Sequence, residues 1–297
     1  MRVGVIHNPR SRRNLGRPSA VVSPDVIHVA PESPEALGGA LNDMAAAGIG
    51  LLIVDGGDGT VREVLSQALS AFGAAMPPLA VIPHGKTNAL AHDLGVPPRW
   101  SIEEAMASAM DPGRRQVRPV VEVRRARETE RPLIGFAFGA GAYVEATRMA
   151  TQVHRVGLMD DVAVGFALLG AAVGALLGRG IAKGQPIRLN DEDTARLRFL
   201  VFASTLERLP LGLRPFGPTR AGLKLLDIDA PARRLFAALP EILAGREPGW
   251  LEPAGYRRRT TDRISLFGLK DFVLDGEIYA GGDVEVRRGP DVVFVTV

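Results

Sequence analysis

The sequence places glycines and carboxylates where phosphate chemistry would need them. A strand-like run, Leu51–Val54, leads directly into Asp55-Gly56-Gly57-Asp58-Gly59-Thr60, and a helical pattern begins where the glycines end. Glycines at such a switch let the backbone approach a ligand closely and adopt positive φ, and the N–H groups at a helix start attract anions. Phosphate is the ligand that this turn predicts.

The carboxylates of the turn refine that prediction. A bare phosphate would be repelled by Asp58, so we expect Asp58 to meet a metal-bound nucleotide or a hydroxyl group about to attack. The alternative is a tight turn in which Asp58 is a solvated turn residue. Thr60 and Glu63 have the spacing of a capping box, which predicts that the helix starts at Thr60.

Two more polar loops follow neighbouring strand-like runs. Ile82 ends one run before Gly85-Lys86-Thr87-Asn88, and the first run ends in His7-Asn8-Pro9-Arg10-Ser11-Arg12-Arg13. The carboxyl ends of parallel strands share one edge of a sheet, so three loops are expected to converge on one ligand. Lys86 fits no Walker pattern and is interpreted either as a phosphate contact or as an exposed loop lysine. His7, His84 and His92 are interpreted as loop or helix-surface residues.

The strands and helices that must position these loops follow two different sequence patterns. Short β-branched runs alternate with helical patterns over the first third, which predicts a Rossmann-like open α/β domain with a parallel sheet. From about Gln116 strand-like alternation dominates and predicts a second, mainly antiparallel β domain. The predicted elements are strands 3–7, 25–29, 51–54, 79–82, 117–124, 133–138, 195–204, 264–274 and 291–297 and helices 34–47, 61–71 and 87–94.

Composition excludes several classes of protein. The 297 residues are 46% hydrophobic and 23% charged, which is incompatible with a disordered chain. There is no cysteine, so disulfide frameworks, cysteine-based zinc sites and thiol catalysis are excluded. The net charge of +3, with no basic stripe, argues against nucleic acid as a partner.

One long apolar run is relevant to whether the protein spans or contacts a membrane. Val162–Gly178 is uncharged but interrupted by glycines, and it falls short of the roughly 20 residues that span a bilayer. We interpret it as a buried or interface-facing helix and as the best candidate for contact with lipid. The N-terminus lacks the features of a signal peptide, so a cytoplasmic location is expected.

The motifs together resemble the diacylglycerol kinase catalytic family, which includes bacterial lipid kinases and sphingosine kinases and is distantly similar to NAD kinases. The resemblance rests on Asn8-Pro9, on Gly56-Gly57-Asp58-Gly59-Thr60 followed by Glu63, on the PHGKTNALAHDLG loop and on Asp275-Gly276-Glu277. It implies an α/β nucleotide-binding domain over residues 1–116, to which strand 288–297 returns, and a β-sandwich lipid-substrate domain over residues 117–287. ATP, magnesium and a lipid hydroxyl would meet in a cleft between them.

The resemblance also implies roles for single residues. Glu277 would be the general base that takes the proton from the lipid hydroxyl, and Asp58 would align nucleotide, metal and acceptor. The alternative for Asp275-Gly276 is a plain hairpin turn. The residues expected to line the nucleotide site are Asn8, Pro9, Arg10, Gly57, Asp58, Gly59, Thr60, Glu63, Gly85, Lys86, Thr87, Asn88 and Asp275.

Three departures from the family pattern stand out. Lys86 and Thr87 replace a small hydroxyl residue and a glycine. The stretch from Thr219 to Asp227 lacks the paired acids that help bacterial members hold a structural magnesium, and Asp160 replaces a basic residue that often follows the helix-start glycine, Gly157.

The function indicated is an ATP-dependent kinase acting on a diacylglycerol-like lipid, with peripheral contact at the inner membrane face. The run Arg257-Arg258-Arg259 is either a solvated face or a contact for anionic headgroups. The alternatives are a soluble NAD kinase-like enzyme and a catalytically silent lipid- or nucleotide-binding protein of the same fold.

Overall fold

The structure, a computed structural model, describes residues 1–15, 23–125, 131–155, 184–190, 192–218 and 222–297. The apolar run Val162–Gly178, the Gly157 and Asp160 positions and the start of the Thr219–Asp227 stretch lie outside these residues. The chain divides into two compact units, unit 1 with Met1–Arg118 and Pro290–Val297 and unit 2 with Pro119–Gly289.

The described strands and helices are numbered in chain order. The strands are β1 (Val3–His7), β2 (Val26–Val29), β3 (Leu51–Gly56), β4 (Leu79–Pro83), β5 (Arg115–Arg125), β6 (Leu133–Gly135), β7 (Ala137–Gly141), β8 (Gln185–Leu189), β9 (Arg196–Ser204), β10 (Leu223–Asp229), β11 (Tyr256–Thr261), β12 (Arg263–Leu274) and β13 (Glu277–Val295). The helices are α1 (Pro34–Ala46), α2 (Asp58–Phe72), α3 (Ala89–Asp93), α4 (Ile102–Ala109), α5 (Ala142–Arg155) and α6 (Leu235–Leu243). Short 3-10 turns lie at Gly73–Ala75 and Pro210–Gly212.

Unit 1 is built on a parallel sheet with the strand order β2-β1-β3-β4. All residues of β1, β3 and β4 are buried, as expected of parallel strands covered on both faces. The end of β13 lies parallel beside β4, where Phe294 pairs with Leu79. The parallel order brings the carboxyl ends of β1, β3 and β4 to one edge, from which the three polar loops leave.

The helix after β3 starts earlier than the sequence predicts. α2 begins at Asp58, with Gly57 as its N-cap residue and no side-chain cap. Thr60 therefore lies inside the first turn, and the predicted capping box of Thr60 and Glu63 is wrong. Helix α3 is also shorter than the predicted 87–94, because Asn88 adopts a left-handed conformation with φ 49° just before it. A capping box does form at α4, between Ser101 and Glu104.

Unit 2 is dominated by antiparallel pairs, which join β5–β6, β7–β9, β7–β12, β8–β9, β8–β12, β9–β10, β10–β11 and β12–β13. Its core contains stacked rings of Phe138 and Phe272, whose centroids are 5.4 Å apart. The predicted strand 133–138 is two strands, because Phe136 turns its N–H toward the carboxylate of Asp275 instead of continuing the ladder.

A buried ion-pair network lies in unit 2. The guanidinium of Arg198 donates from Nε to Asp227 Oδ1 at 3.0 Å, and Arg257 Nη2 lies 3.2 Å from Asp227 Oδ2. Both carboxylate oxygens of Asp227 therefore have arginine partners. Breaking a buried pair of this kind typically costs about 3–5 kcal/mol, because the remaining charge stays buried.

Over the described ranges, no helix combines the length and the apolar composition that crossing a membrane requires.

Candidate active site

A buried carboxylate links the three polar loops of unit 1. Asp55, at the end of β3, lies between two histidines: His7 Nδ1 is 2.7 Å from Oδ2, and His84 Nδ1 is 2.5 Å from Oδ1. Asn14 Nδ2 donates to Oδ1 at 3.0 Å. Since an ionised carboxylate only accepts hydrogen bonds, both histidines carry a proton on Nδ1. Asp55 thus fixes the loops that follow β1 and β4.

The surroundings of Asp55 keep it ionised. Burial opposes the charged form, but the hydrogen bonds from His84, Asn14 and His7 outweigh it and hold the pKa of Asp55 below its ordinary value. His7 is a buried residue of β1, so the interpretation of His7 as a loop or helix-surface residue is wrong, whereas His84 lies in the loop after β4, as predicted, and is partly buried. His92 is exposed on α3, as predicted.

The first loop contacts the glycine-rich turn through Asn8. Its side-chain Nδ2 donates to Thr60 Oγ1 at 2.8 Å, and its Oδ1 accepts from the N–H of Arg10 at 2.9 Å. The N–H of Asn8 also donates to the carbonyl of Asp55 at 2.9 Å. Pro9 and Arg10 are exposed beside this contact. Asn8 therefore fixes the loop after β1 to the first turn of α2.

The glycine-rich turn touches the third loop backbone to backbone. A Cβ built on Gly57 would lie 2.7 Å from the Cα of Gly85, and one built on Gly85 would lie 2.4 Å from the Cα of Gly57. A Cβ on Gly56 would lie 2.6 Å from Thr60 Oγ1. The expected positive φ is wrong for Gly56, Gly57 and Gly59, since none of them is among the positive-φ residues. Close approach is what requires glycine at Gly56, Gly57 and Gly85.

The loop after β4 is closed by its own asparagine. Asn88 Oδ1 accepts from the N–H of Gly85 at 2.9 Å, and its Nδ2 donates to the carbonyl of Gly85 at 3.1 Å. Lys86 and Thr87 are exposed between these two residues. Lys86 thus places an exposed cation at the tip of a loop that Asn88 closes.

Asp58 has a structural contact that the sequence did not predict. Its Oδ2 accepts from the N–H of Ala89 at 3.0 Å and its Oδ1 from that of Leu90 at 3.3 Å. It thereby caps α3, whose own N-cap residue, Asn88, makes no side-chain cap. Desolvation raises the pKa of Asp58, and the backbone N–H groups around it oppose that effect only in part. The interpretation as a solvated turn residue does not fit this partly buried carboxylate.

The start of α2 is suited to an anion. The first N–H groups of a helix have no partner within it, and Gly57 has no side chain that could accept from them. With the helix dipole they form an anion-binding end. Glu63, one turn further along, accepts from Gln67 Nε2 at 2.9 Å and is held along the helix.

Asp275 lies in unit 2 and shapes a hairpin. Asp275 and Gly276 have φ of 46° and 83° and connect Leu274 of β12 to its partner Glu277 of β13. Positive φ at both central residues is typical of a type I′ turn. The carboxylate accepts from the N–H of Phe136 at 3.0 Å and from that of Ala137 at 2.8 Å. The hairpin interpretation describes this geometry.

Glu277 follows the hairpin as an exposed carboxylate. The hydroxyl of Tyr279 donates to its Oε2 at 3.2 Å. Nearby, burial and the negative charge of Asp275 raise the pKa of Tyr143 to about 12, and the Tyr143 ring stacks on Phe202 at 5.2 Å. A rigid turn thus presents Glu277 to solvent.

The predicted site residues therefore fall into two sets. In unit 1 the structure brings together the residues of the three loops through the contacts of Asn8, Asp58, Gly57 and Gly85. Asp275 and Glu277 belong to unit 2. Across the described parts of the chain, no group of three or more histidine or acidic side chains is arranged to hold a metal ion.

Sequence reasoning missed the linking role of Asp55. Its position directly before the glycines was visible, as were the histidines at the ends of two strands. Their contact depends on the registers of β1 with β3 and of β3 with β4, in which His7 pairs with Asp55 and Asp55 with Ile82. The signal in the sequence was the placement of His7, Asp55 and His84 at the ends of three strand-like runs, since the register itself is not specified by the pattern of residue types.

Comparisons with known proteins bear on the family and on the fold of the chain. Residues 2–121 match the family model of the diacylglycerol kinase catalytic domain. None of the curated proteins matches the chain significantly. A crystal structure from Bacillus anthracis str. Sterne, described as a candidate diacylglycerol kinase, is similar with a TM-score of 0.66 and 18% identity, over 100% of this chain and 97% of that one.

A second crystal structure, of a diacylglycerol kinase from the same organism, is similar with a TM-score of 0.60 and 16% identity over the same shares of the two chains. At these identities the two structures show a shared mixed α/β fold. The family resemblance read from the motifs is confirmed for residues 2–121, which match the model of the diacylglycerol kinase catalytic domain.

Proposed function

We propose that the chain is an ATP-dependent lipid kinase that transfers the γ-phosphate of ATP to a hydroxyl of a diacylglycerol-like lipid. The observation that carries the proposal is the backbone contact of Gly57 with Gly85 at the open N-terminus of α2. It lies within the residues that match the diacylglycerol kinase catalytic domain. Two glycine loops and a helix start in this arrangement suit a polyphosphate.

The nucleotide would bind through its phosphates to unit 1. The N–H groups at the start of α2 would donate to phosphate oxygens, and Lys86 at the exposed loop tip would add a positive charge. Magnesium fits this arrangement as a companion of the triphosphate, since Mg²⁺ is commonly held by one or two carboxylates together with substrate phosphates. When bound, the ion would neutralise negative charge on the phosphates that are transferred and released.

Asp58 would align the phosphate-binding loops. Its carboxylate holds the first turn of α3 through Ala89 and Leu90, so the glycine-rich turn and the loop after β4 are fixed to each other. Phosphoryl transfer depends mainly on positioning and on electrostatic stabilisation. A carboxylate that fixes both loops is suited to the first of these requirements.

Glu277 would act as the general base. In the proposed step the lipid O–H gives its proton to a carboxylate oxygen of Glu277, the hydroxyl oxygen bonds to the γ-phosphorus, and the bond to the bridging oxygen of ADP breaks. The exposure of Glu277 on a turn fixed by Asp275 supports this role. A lipid acceptor is supported by the family match and by the uncharged run Val162–Gly178.

Two conservative substitutions test these roles. Glu277→Gln is expected to lower the rate of phosphate transfer by about 100-fold or more, since it removes the base. Asp58→Asn is expected to lower the rate with the fold intact. Glu252→Gln, at another exposed glutamate of unit 2, is the matched control and is expected to keep the wild-type rate. Wild-type rates in both Glu277→Gln and Asp58→Asn would reject the assignment.

A further inference from the structure

Helix α6 has an apolar exposed face. The helix, Leu235–Leu243, has the sequence LFAALPEIL, and Leu235, Ala238 and Ile242 form its buried face. On the opposite side Phe236, Ala237 and Pro240 are exposed. A surface helix ordinarily carries polar residues on its outer face. The sequence of α6 instead leaves apolar residues in solvent.

Phe236 dominates this face. Phe236 is 78% exposed, the highest value among the large hydrophobic residues that the structure describes. The helical spacing of Phe236 and Pro240, four residues apart, puts them on the same side of α6. Exposed aromatic residues on an amphipathic helix are typical of surfaces that bury them at a membrane interface.

Free positive charge lies next to the apolar face. Arg233 and Arg234 directly precede α6 and both are exposed. Within the described ranges, no ion pair joins either arginine to an acidic side chain. The only acidic residue of the helix, Glu241, lies 3.4 Å from Arg246 at the other end. The charge that remains beside Phe236 is positive.

A neighbouring turn extends the surface. Leu211, in the turn Pro210–Gly212, is 52% exposed. The N–H of Arg214, three residues later, donates to the carbonyl of Leu243 at 2.8 Å, which holds this loop against the end of α6. Arg214 is itself exposed. The loop adds a second apolar side chain and a further arginine.

We propose that this face, which we call the α6 face and define by Leu211, Arg233, Arg234, Phe236 and Pro240, docks on an anionic lipid bilayer. Exposed apolar side chains would enter the interface, and the exposed arginines would meet the negative headgroups. Binding stands on the α6 face alone, whereas its use in bringing the chain to a lipid substrate rests on the proposed function.

Two arginines of the run singled out in the sequence are engaged within unit 2, whereas the third, Arg259, is exposed on β11. Arg257 pairs with Asp227 and Asp229, and Arg258 donates to the carbonyls of Pro215 and Ile242. The guanidinium groups of Arg257 and Arg258 are therefore bonded to other residues of unit 2. The membrane-facing charge is therefore assigned to Arg233 and Arg234.

Sedimentation with vesicles tests the proposal on the full chain. Wild-type protein is expected to sediment with vesicles that contain phosphatidylglycerol and to do so less in high salt, and to bind pure phosphatidylcholine vesicles weakly. Phe236→Asp, and Arg233→Glu combined with Arg234→Glu, are each expected to weaken binding by about tenfold or more. Met110→Asp, at a 71% exposed apolar residue of unit 1, is the control and should bind like wild type.

The outcomes separate membrane docking from misfolding and from self-association. Equal thermal stability of all variants shows that a loss of binding is not a loss of folding. Absence of wild-type binding, or equal binding of wild type and both α6-face variants, would overturn the proposal, as would a Phe236-dependent dimer that ignores vesicles. Phosphate transfer to a lipid in detergent micelles is measured in parallel, because failure there bears on the proposed function and not on docking.

Discussion

Gly57 and Gly85 lie so close that a Cβ on Gly85 would be 2.4 Å from the Cα of Gly57. Gly57 caps α2 after β3, and Gly85 follows β4. The two loops therefore share one backbone surface at the edge of the parallel sheet. Their contact leaves no room for a side chain and makes both glycines obligatory.

Substitution of either glycine by alanine is expected to destabilise the protein. The added methyl must displace backbone atoms of the other loop, and overpacking of this kind costs about 1–3 kcal/mol. Urea unfolding of Gly57→Ala and Gly85→Ala measures the cost. Gly39→Ala, in α1 with nothing within 4 Å of its Cβ, is the control and should be neutral or slightly stabilising. Equal stability of all three variants would contradict the contact.

Substitution of Asp58 by asparagine and by alanine is expected to change the stability of the protein by different amounts. Asparagine keeps one acceptor oxygen for the N–H groups of α3, turns an NH2 donor toward the other, and removes a charge whose desolvation raises the pKa, so Asp58→Asn should lose less stability than Asp58→Ala. Asp58→Ala removes the cap and should cost about 1 kcal/mol. Unfolding curves give both values. A larger loss in Asp58→Asn than in Asp58→Ala would show that the negative charge itself stabilises the fold.

Substitutions of the neighbouring residues Asp275 and Glu277 are expected to differ in their effect on the stability of the protein. Asp275→Ala leaves the N–H groups of Phe136 and Ala137 without their acceptor and should cost about 1–3 kcal/mol. Glu277→Gln alters an exposed side chain and should change stability by less than about 0.5 kcal/mol. Thermal unfolding followed by circular dichroism compares them. The reverse order would show that Glu277 supports the hairpin.

The Asp55 cluster predicts a dependence of stability on pH. Because the folded-state pKa of Asp55 is lower than its unfolded value, the ionised carboxylate stabilises the folded protein above about pH 4. This contribution is lost as the pH falls through the folded-state pKa. Asp55→Asn should cost about 1–3 kcal/mol at pH 7 and should lose less stability than wild type on acidification. Urea unfolding of wild type and of Asp55→Asn is measured in parallel between pH 7 and pH 3. A difference in their free energies of unfolding that stays constant over this range would contradict the prediction.

The sequence predicted the loops of the candidate site well because they depend on local rules. Strand β3 runs into glycines, and the loop of β4 is closed by Asn88 only three residues from Gly85. The start of α2 was missed because the capping-box spacing of Thr60 and Glu63 also occurs inside a helix. At this position a tertiary contact determines the role of Thr60, because its Oγ1 accepts a hydrogen bond from the side chain of Asn8.

Other features depend on partners that are distant in the chain. Asp275 contacts Phe136 and Ala137, more than a hundred residues earlier, and no local pattern indicates that pair. The same holds for Asp55, whose two histidines lie at the ends of other strands. Such contacts follow from the order and register of strands, which alternation of residue types does not specify.

The proposed reaction transfers phosphate from ATP to a lipid hydroxyl. Its most direct test is incubation of the full chain with γ-labelled ATP and Mg²⁺, with diacylglycerol in mixed micelles or NAD as the acceptor. We expect label in the lipid phase, strongly reduced in Glu277→Gln, and none on NAD. Label on NAD alone would indicate an NAD kinase-like enzyme, and ATP binding without transfer to diacylglycerol or to a total bacterial lipid extract would indicate a silent binding protein. Either result would contradict the proposed transfer of phosphate to a lipid hydroxyl.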